Sequence, residues 1–242
     1  LPVLAGLDAP HNANSGLGCL SCHDMTSTLP KLMPPWTAHV ASNIDDTPFN
    51  SLCWSCHNDS EAPYVKTHSS LSTSDRYGDW TVECWVCHGL HTQQQLRTYG
   101  SAGYLYSAIS SGVTVTTLSQ TGADWEEDEF EGMVLVPNTA NANTTYTIAD
   151  NSTDTLTVRG PMDLSKVMVG NTFAIVLGKL IRNTVNLGLI TDPLHPEKKT
   201  GYKTVRYFRR EGMNSFADGN GTYDGICEVC HTETKHFQND GT

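Results

Sequence analysis

Every cysteine in this 242-residue chain belongs to a Cys-x-x-Cys-His segment, and the segment occurs four times. The four copies are Cys19-Leu-Ser-Cys22-His23, Cys53-Trp-Ser-Cys56-His57, Cys84-Trp-Val-Cys87-His88 and Cys227-Glu-Val-Cys230-His231. This pattern is the attachment signature of c-type haem, in which two thiols bond to one porphyrin and the next histidine coordinates its iron. The sequence therefore predicts four covalent haem c groups, with these proximal ligands: His23, His57, His88 and His231.

Paired cysteines also bind zinc or cycle as redox disulfides, so the number of copies decides the interpretation. Histidine makes up 10 of the 242 residues, and chance would place one after all four pairs with odds of about 3 × 10⁻⁶. A zinc ribbon needs no histidine at that place, and disulfides that close such short loops stabilise little. Haem is the favoured interpretation, and zinc is the main alternative.

The remaining histidines supply the distal ligands. The surplus of histidine favours a second imidazole on each iron over one of the six methionines, which would raise the reduction potential. His195 lies between two prolines in a predicted exposed turn, so we exclude it from the ligand set. Four distal ligands are expected from five candidates: His11, His39, His68, His91 and His236. For each of the five, a solvated surface histidine is the alternative.

The spacing of two candidates predicts haems packed against one another. His91 follows His88 by three residues, and His236 follows His231 by five. Neither can swing to the opposite face of the haem that its own motif holds, but each can reach an adjacent haem. Haem iron that is coordinated by two imidazoles has no open coordination position, so it is expected to transfer electrons without binding a substrate.

The composition limits the size of the protein core and the kinds of partner. Hydrophobic residues make up 38% of the chain and the mean hydropathy is −0.34, so the porphyrins are expected to supply apolar bulk. The formal charge of −11 argues against nucleic acid as the main partner. No run of roughly 18 apolar residues is present to span a membrane. Because haem c is attached after export, we interpret Leu1 as a mature N-terminus left by signal-peptide cleavage.

The chain divides into three predicted regions: a three-haem N-terminal region at 1–98, a haem-free β-rich insertion at 99–190, and a C-terminal segment at 191–242 that carries the fourth haem. Proline, glycine, serine and asparagine between the first motifs indicate loops and single helical turns. The predicted fold class is a mostly irregular, coil multihaem cytochrome with short helices and a small antiparallel β module between haems 3 and 4.

The predicted β module contains neither cysteine nor histidine. Residues 150–151 are predicted to form a hairpin turn within it. We interpret the module as a scaffold or spacer, with a subunit contact face as the alternative. Short β-type runs recur there between turn signals: Val113–Leu118, Met133–Val136, Thr144–Ile148, Thr155–Val158 and Phe173–Leu177.

A basic run precedes the fourth motif in this acidic chain. We expect its side chains to pair with haem propionates rather than with nucleic acid. Its members are Lys198, Lys199, Lys203, Arg206, Arg209 and Arg210.

The four motifs, the long cysteine-free insertion and the run Asn214–His231 together resemble one family. These are the secreted tetrahaem cytochromes of metal-reducing bacteria that polymerise into extracellular filaments, the OmcE type. The resemblance is specific at the haem-bearing ends and architectural in the insertion. It implies an extracellular protein with haems stacked continuously through a filament homopolymer and one axial histidine donated by the adjacent subunit. His11, near the N-terminus, is the predicted donor.

The leading prediction is a filament subunit, not an enzyme, that passes electrons through four bis-histidine haems to extracellular acceptors such as metal oxides or electrodes, with other redox cytochromes as partners. A soluble periplasmic tetrahaem shuttle is the first alternative. A multihaem reductase with one open haem, and a β-rich adhesion module in which haem is incidental, are two others.

Overall fold

The computed structural model describes residues 7–26, 31–32, 52–53, 55–57, 68–69, 81–189 and 201–229. The strands in chain order are β1 (His23–Asp24), β2 (Lys31–Leu32), β3 (His68–Ser69), β4 (Thr81–Val82), β5 (Tyr106–Ile109), β6 (Gly112–Val113), β7 (Thr117–Ser119), β8 (Val134–Val136), β9 (Tyr146–Asn151), β10 (Thr155–Val158), β11 (Thr172–Val176), β12 (Thr184–Asn186) and β13 (Tyr202–Thr204). The α-helices are α1 (Cys19–Cys22), α2 (Cys84–Cys87) and α3 (Gln94–Tyr99). Short 3₁₀ turns cover Ala13–Ser15, Gly100–Gly103, Thr139–Asn141 and Leu187–Leu189.

The largest element is a seven-stranded sheet with the strand order β5-β11-β8-β9-β10-β7-β6. All its strand pairs are antiparallel. Among the described residues, three two-stranded ladders accompany it, formed by β1 with β2, β3 with β4 and β12 with β13. The strands coincide with runs of valine, isoleucine, threonine, tyrosine and phenylalanine, which suit a pleated and half-buried surface.

The predicted fold class is wrong. The described residues form a mostly β structure with few, short helices, organised around the seven-stranded sheet rather than around irregular coil. The low overall hydrophobicity misled the prediction because apolar residues are concentrated in residues 106–187, where they bury a regular core of protein side chains alone.

The strand predictions in the central part of the chain are largely confirmed, with two corrections and, in the seven-stranded sheet, one omission, since no run predicted β5. The run at 113–118 is not one strand, because Thr114 N–H donates to the Thr117 carbonyl at 2.8 Å and turns the chain between β6 and β7. The predicted hairpin turn at 150–151 is wrong, since both residues belong to β9 and the turn lies at 152–154. Buried Asn151 instead accepts from Phe130 N–H at 2.8 Å and donates to the Glu126 carbonyl at 2.7 Å, which anchors the loop at 124–131.

Both faces of the central strands are buried. Leu135 of β8 and Phe173 and Ile175 of β11 belong to the sheet core, an apolar cluster completed by Leu118, Trp125, Phe130, Tyr146, Ile148, Leu156, Val158, Met162 and Val167. The alternate residues of the same strands point the other way, because side chains alternate along a strand. They form the N-terminal cluster with Ala9 and Leu96: Val134, Val136, Ala174 and Val176. The second face therefore holds α3 and the segment that carries His11.

A third apolar group joins the last two motifs. This motif cluster contains Val86 of the third motif and Val229 of the fourth. Its other buried members are Leu177, Ile181, Val185, Leu187, Val205 and Tyr207, and the tyrosine hydroxyl is their one polar side-chain group. It lies beside the end of β11, so the third and fourth motifs pack against one extension of the sheet. Within the residues described, no helix is both long enough and apolar enough to cross a membrane.

Candidate functional site

The described motifs share one backbone geometry. In the first three motifs the histidine N–H donates to the carbonyl of the first cysteine, at 2.8 Å in the second motif and 2.9 Å in the third, as in one turn of helix. Residues three apart in such a turn lie on the same face, so both thiols of a motif project to one side. The histidine then leaves the turn in extended conformation, with φ −120° at His23 and φ −103° at His88.

The fourth motif is described as far as Val229, and its Cys230 and His231 lie outside the described residues. Cys227 N–H donates to the Phe216 carbonyl at 2.8 Å. The buried Glu228 carboxylate accepts from the N–H groups of Gly219 at 2.9 Å and Gly225 at 3.0 Å. A Cβ at Gly225 would lie 2.6 Å from the Phe216 carbonyl oxygen, so only glycine allows this approach. The Glu228 carboxylate and the Phe216 carbonyl thereby hold the loop against the fourth motif.

Two predicted distal histidines lie opposite two motif histidines. The ring centres of His23 and His91 are 6.0 Å apart, with an angle of 11° between their planes. Those of His11 and His57 are 6.2 Å apart, with an angle of 67°. In each pair one histidine follows a cysteine pair and the other comes from a distant part of the sequence.

These separations suit one iron between each pair of rings. Imidazole nitrogen binds a metal at about 2.0 Å, so two histidines that held one iron between them would have ring centres roughly 6 Å apart. Both observed separations agree with that value. The residues present therefore fit a bis-histidine haem at the first and second motifs.

Backbone carbonyls orient two of the rings. His88 Nδ1 lies 2.9 Å from the Lys179 carbonyl oxygen, and His11 Nδ1 lies 3.2 Å from that of Leu90. A ring that donates from Nδ1 leaves Nε2 as the unprotonated ligating nitrogen. The Nδ1 atoms of His23 and His57 are buried and have no hydrogen-bond partner among the described residues.

Burial also favours the ligating form of the histidines. It lowers the pKa of four imidazoles below the ordinary value: His11, His57, His88 and His91. His91 shows this shift although the residue itself remains exposed. The positive charge that His57 would carry further lowers the pKa of His11 and His88, so the three side chains lie near one another. Neutral imidazole is the form that binds a metal.

The first two motifs are neighbours as well. Burial raises the pKa of the Cys22 thiol, and the nearby Cys56 and Cys53 raise it further. The thiols of Cys19, Cys22 and Cys56 are exposed and form no disulfide. In the part of the chain that is described, no three side chains of His, Cys, Asp or Glu are grouped as a site for a bare metal ion.

Two cationic residues that no sequence motif marks, Lys179 and Arg182, lie beside the third motif. Lys179 carries the carbonyl that orients His88, and Arg182 Nε donates to the Trp85 carbonyl at 2.7 Å. Burial and then the charge of Arg210 lower the pKa of Lys179, so Arg210 of the predicted basic run lies close to it. Arg206 of the same run instead stacks 5.2 Å from the Tyr99 ring centre. No local signal marked Lys179 or Arg182, because neither belongs to a motif or to the predicted basic run.

Three predicted ligands, His39, His231 and His236, lie outside the described residues, and so does the excluded His195. His68 is described by its backbone, which pairs with Val82 two residues before the third motif. The predicted regions 1–98, 99–190 and 191–242 stay predictions. No protein-family model matches this chain, and no curated protein or solved structure matches it either.

Proposed function

We propose that this chain is an electron carrier that holds four haem c groups, each bonded to one Cys-x-x-Cys pair and coordinated by two histidines. The observation that carries the proposal is the distance between ring centres in two pairs of histidines, each made of a predicted distal ligand and a motif histidine. It is 6.0 Å for His91 and His23 and 6.2 Å for His11 and His57. Bound haem c supplies a one-electron couple at its iron.

The two pairs assign ligands for half of the site. His23 and His91 coordinate the group held by the first motif, and His57 and His11 coordinate the group held by the second. His88 and His231 are the proximal ligands of the third and fourth. Their distal ligands then come from the remaining candidates, namely His39, His68 and His236.

This assignment changes the predicted source of a ligand shared between subunits. His11 has a partner histidine within its own chain, which does not favour His11 as the donor to a neighbour. If one ligand crosses between subunits, it belongs among the three histidines left unassigned.

The chain's residues act by positioning the ligands and by excluding other chemistry. The carbonyls of Leu90 and Lys179 orient His11 and His88, and burial keeps the imidazoles neutral. Two imidazoles on one iron leave no coordination position for a substrate. The proposed role is therefore electron transfer rather than catalysis.

The proposed setting is an extracellular filament made of copies of this chain, which passes electrons to extracellular acceptors such as metal oxides or electrodes and exchanges them with partner cytochromes. This part of the proposal is supported by the resemblance carried by the four motifs, the insertion and the run Asn214–His231.

The spin state of the purified protein tests the ligand set. We expect four haems per chain, a fully low-spin spectrum in both redox states, and no carbon monoxide bound to the reduced form. A high-spin component that binds carbon monoxide would favour the reductase alternative, and a colourless protein would contradict haem attachment altogether.

Single substitutions test the pairs. His91→Ala should make one haem bind carbon monoxide, and His11→Ala should do the same for a different haem. His195→Ala is the matched control, since that histidine is outside the predicted ligand set, and it should leave the spectrum unchanged. Sedimentation and negative-stain imaging of the native protein then separate a filament from a soluble shuttle.

A further inference from the structure

We propose that Asp8 is a positioning residue that holds the two distal histidines, His11 and His91, in place together. The inference rests on the proposed function, because it concerns the same ligands. It assigns a role to a carboxylate that touches neither histidine ring and that no sequence motif marks.

Asp8 is a buried and fully engaged anion. Its side chain is 1% exposed, and Arg97 Nη2 donates to both carboxylate oxygens at 2.7 Å. Gln93 N–H donates to Oδ2 at 2.8 Å. Such a buried charge is tolerated only with its partners in place, and losing one partner of such a pair is strongly destabilising locally.

The partners of Asp8 connect the two segments that carry the histidines. Asp8 N–H donates to the carbonyl of His91 at 2.9 Å, and His11 N–H donates back to the carbonyl of Asp8 at 3.0 Å. The Gln93 side-chain amide donates to the Ala9 carbonyl at 2.7 Å. His11 lies three residues after Asp8, and His91 lies two before Gln93. Asp8 therefore joins the two segments that present the distal ligands, through its carboxylate at Gln93 N–H and through its own backbone at His91 and His11.

The sheet supplies the fixed surface beneath this junction. Thr145, directly before β9, accepts from Ala9 N–H through its hydroxyl at 2.9 Å and from the Asn12 amide through its carbonyl at 2.9 Å. Arg97 also donates to Asn143 at 2.9 Å. Ala9 is fully buried in the N-terminal cluster. Residues around Asp8 thus attach the histidine segments to the sheet.

Removing the charge should release both ligands at once. Asp8→Asn keeps the shape but turns one oxygen into a donor that faces the donors of Arg97 and Gln93. A residue that merely stabilises the fold would lower the unfolding temperature and leave the iron ligation intact. A positioning residue changes the ligation of two haems in the folded protein.

The experiment measures carbon monoxide bound per chain by the reduced, haem-loaded, full-length protein, together with its high-spin signal. Asp8→Asn should raise binding from none to two molecules per chain, whereas His11→Ala and His91→Ala should each give one. Asp163→Asn is the matched control, because the exposed Asp163 carboxylate pairs with Lys166 and accepts from Ser165 rather than from a histidine segment, and it should give none.

A low-spin Asp8→Asn protein that binds no carbon monoxide would overturn the inference, even if its unfolding temperature fell. Should that variant fail to accumulate, Arg97→Gln removes the same ion pair from a side chain that is 32% exposed. Its carbon monoxide binding is then judged in the same way. A wild-type protein that lacks haem, or that already binds carbon monoxide, would instead contradict the proposed function.

Discussion

Tyr207 illustrates how burial sets the chemistry of a single residue in this protein. It lies in the motif cluster between the third and fourth motifs. Burial raises the pKa of its phenol to about 12, with the nearby Arg210 opposing the shift and Cys227 adding to it. The same physical cause, loss of water around an ionisable group, lowers the pKa of the buried imidazoles, because there the charged form is the protonated one.

The raised pKa predicts a loss of stability at high pH. The folded phenol stays neutral up to about pH 12, whereas the unfolded one ionises near pH 10. The contribution of the neutral phenol to the free energy of unfolding is therefore complete below pH 10. It is lost as the pH rises from 10 to 12, by about 2–3 kcal/mol in all. Denaturant unfolding at pH 8 and pH 11 measures the first half of this loss, about 1.4 kcal/mol.

Tyr207→Phe should remove that part of the pH dependence. Tyr202→Phe is the matched control, since Tyr202 is 73% exposed, and it should leave the decline unchanged. An unaltered decline in Tyr207→Phe would contradict the assignment to this phenol.

Among the secondary-structure elements, β11 links the sheet to the ligand site. Its residues face the sheet core and the N-terminal cluster in turn, and the chain then passes through Gly178 to Lys179, whose carbonyl orients His88. Gly178 has φ +69°, and a Cβ there would lie 2.8 Å from the Cβ of Val134. Close packing against β8 and a left-handed backbone therefore both require glycine at this position.

Gly178→Ala should combine backbone strain with overpacking and lower the free energy of unfolding by about 2–5 kcal/mol. Gly170→Ala is the matched control: its φ is +90°, but a Cβ there would meet nothing within 4 Å. The control should show only the strain, about 1–2 kcal/mol. Equal losses in the two variants, measured by denaturant unfolding, would contradict the predicted clash with Val134.

The centre of β11 should dominate the stability of the sheet. Phe173 is fully buried and packs against Tyr106 and Trp125, with ring centres 6.1 and 6.4 Å away. Phe173→Ala should cost about 3–5 kcal/mol. Ile109→Ala, on the neighbouring edge strand, should change stability by less than about 0.5 kcal/mol, because Ile109 is 64% exposed. A similar cost for both would mean that the edge is covered in solution.

The molecule as a whole combines a protein core with a proposed cofactor core. The sheet core consists of side chains from residues 118–175, none of them from a motif. The histidine segments instead depend on a few backbone contacts around Asp8 and on the proposed iron ligation. The two parts should therefore respond differently to loss of haem.

Replacing all eight cysteines with alanine should give a colourless protein that keeps its sheet. We expect the β-type far-ultraviolet circular dichroism to persist, while limited proteolysis cuts within residues 1–98 far faster than in the native protein. Loss of the β signal in this variant would show that the sheet also needs haem, contrary to the expectation.

Local signals account for what was predictable here. A Cys-x-x-Cys-His segment encodes its own turn, because residues three apart share a helical face, and the β-type runs mark strands through side-chain shape. The error at 150–151 arose because Asn151 uses its amide to hold residues 126 and 130, a contact that strand propensity does not register.

Residue types and their local order were enough to predict the thiols and imidazoles available for haem and most strands of the central sheet. Which histidine lies beside which, and the contact of Asp8 with Arg97, 89 positions away, emerged only from the folded chain. The fold class also belongs to that second group, since it depends on how apolar strands stack on both faces of one sheet. Pairings between distant segments follow from packing as a whole, and no local pattern of residues encodes them.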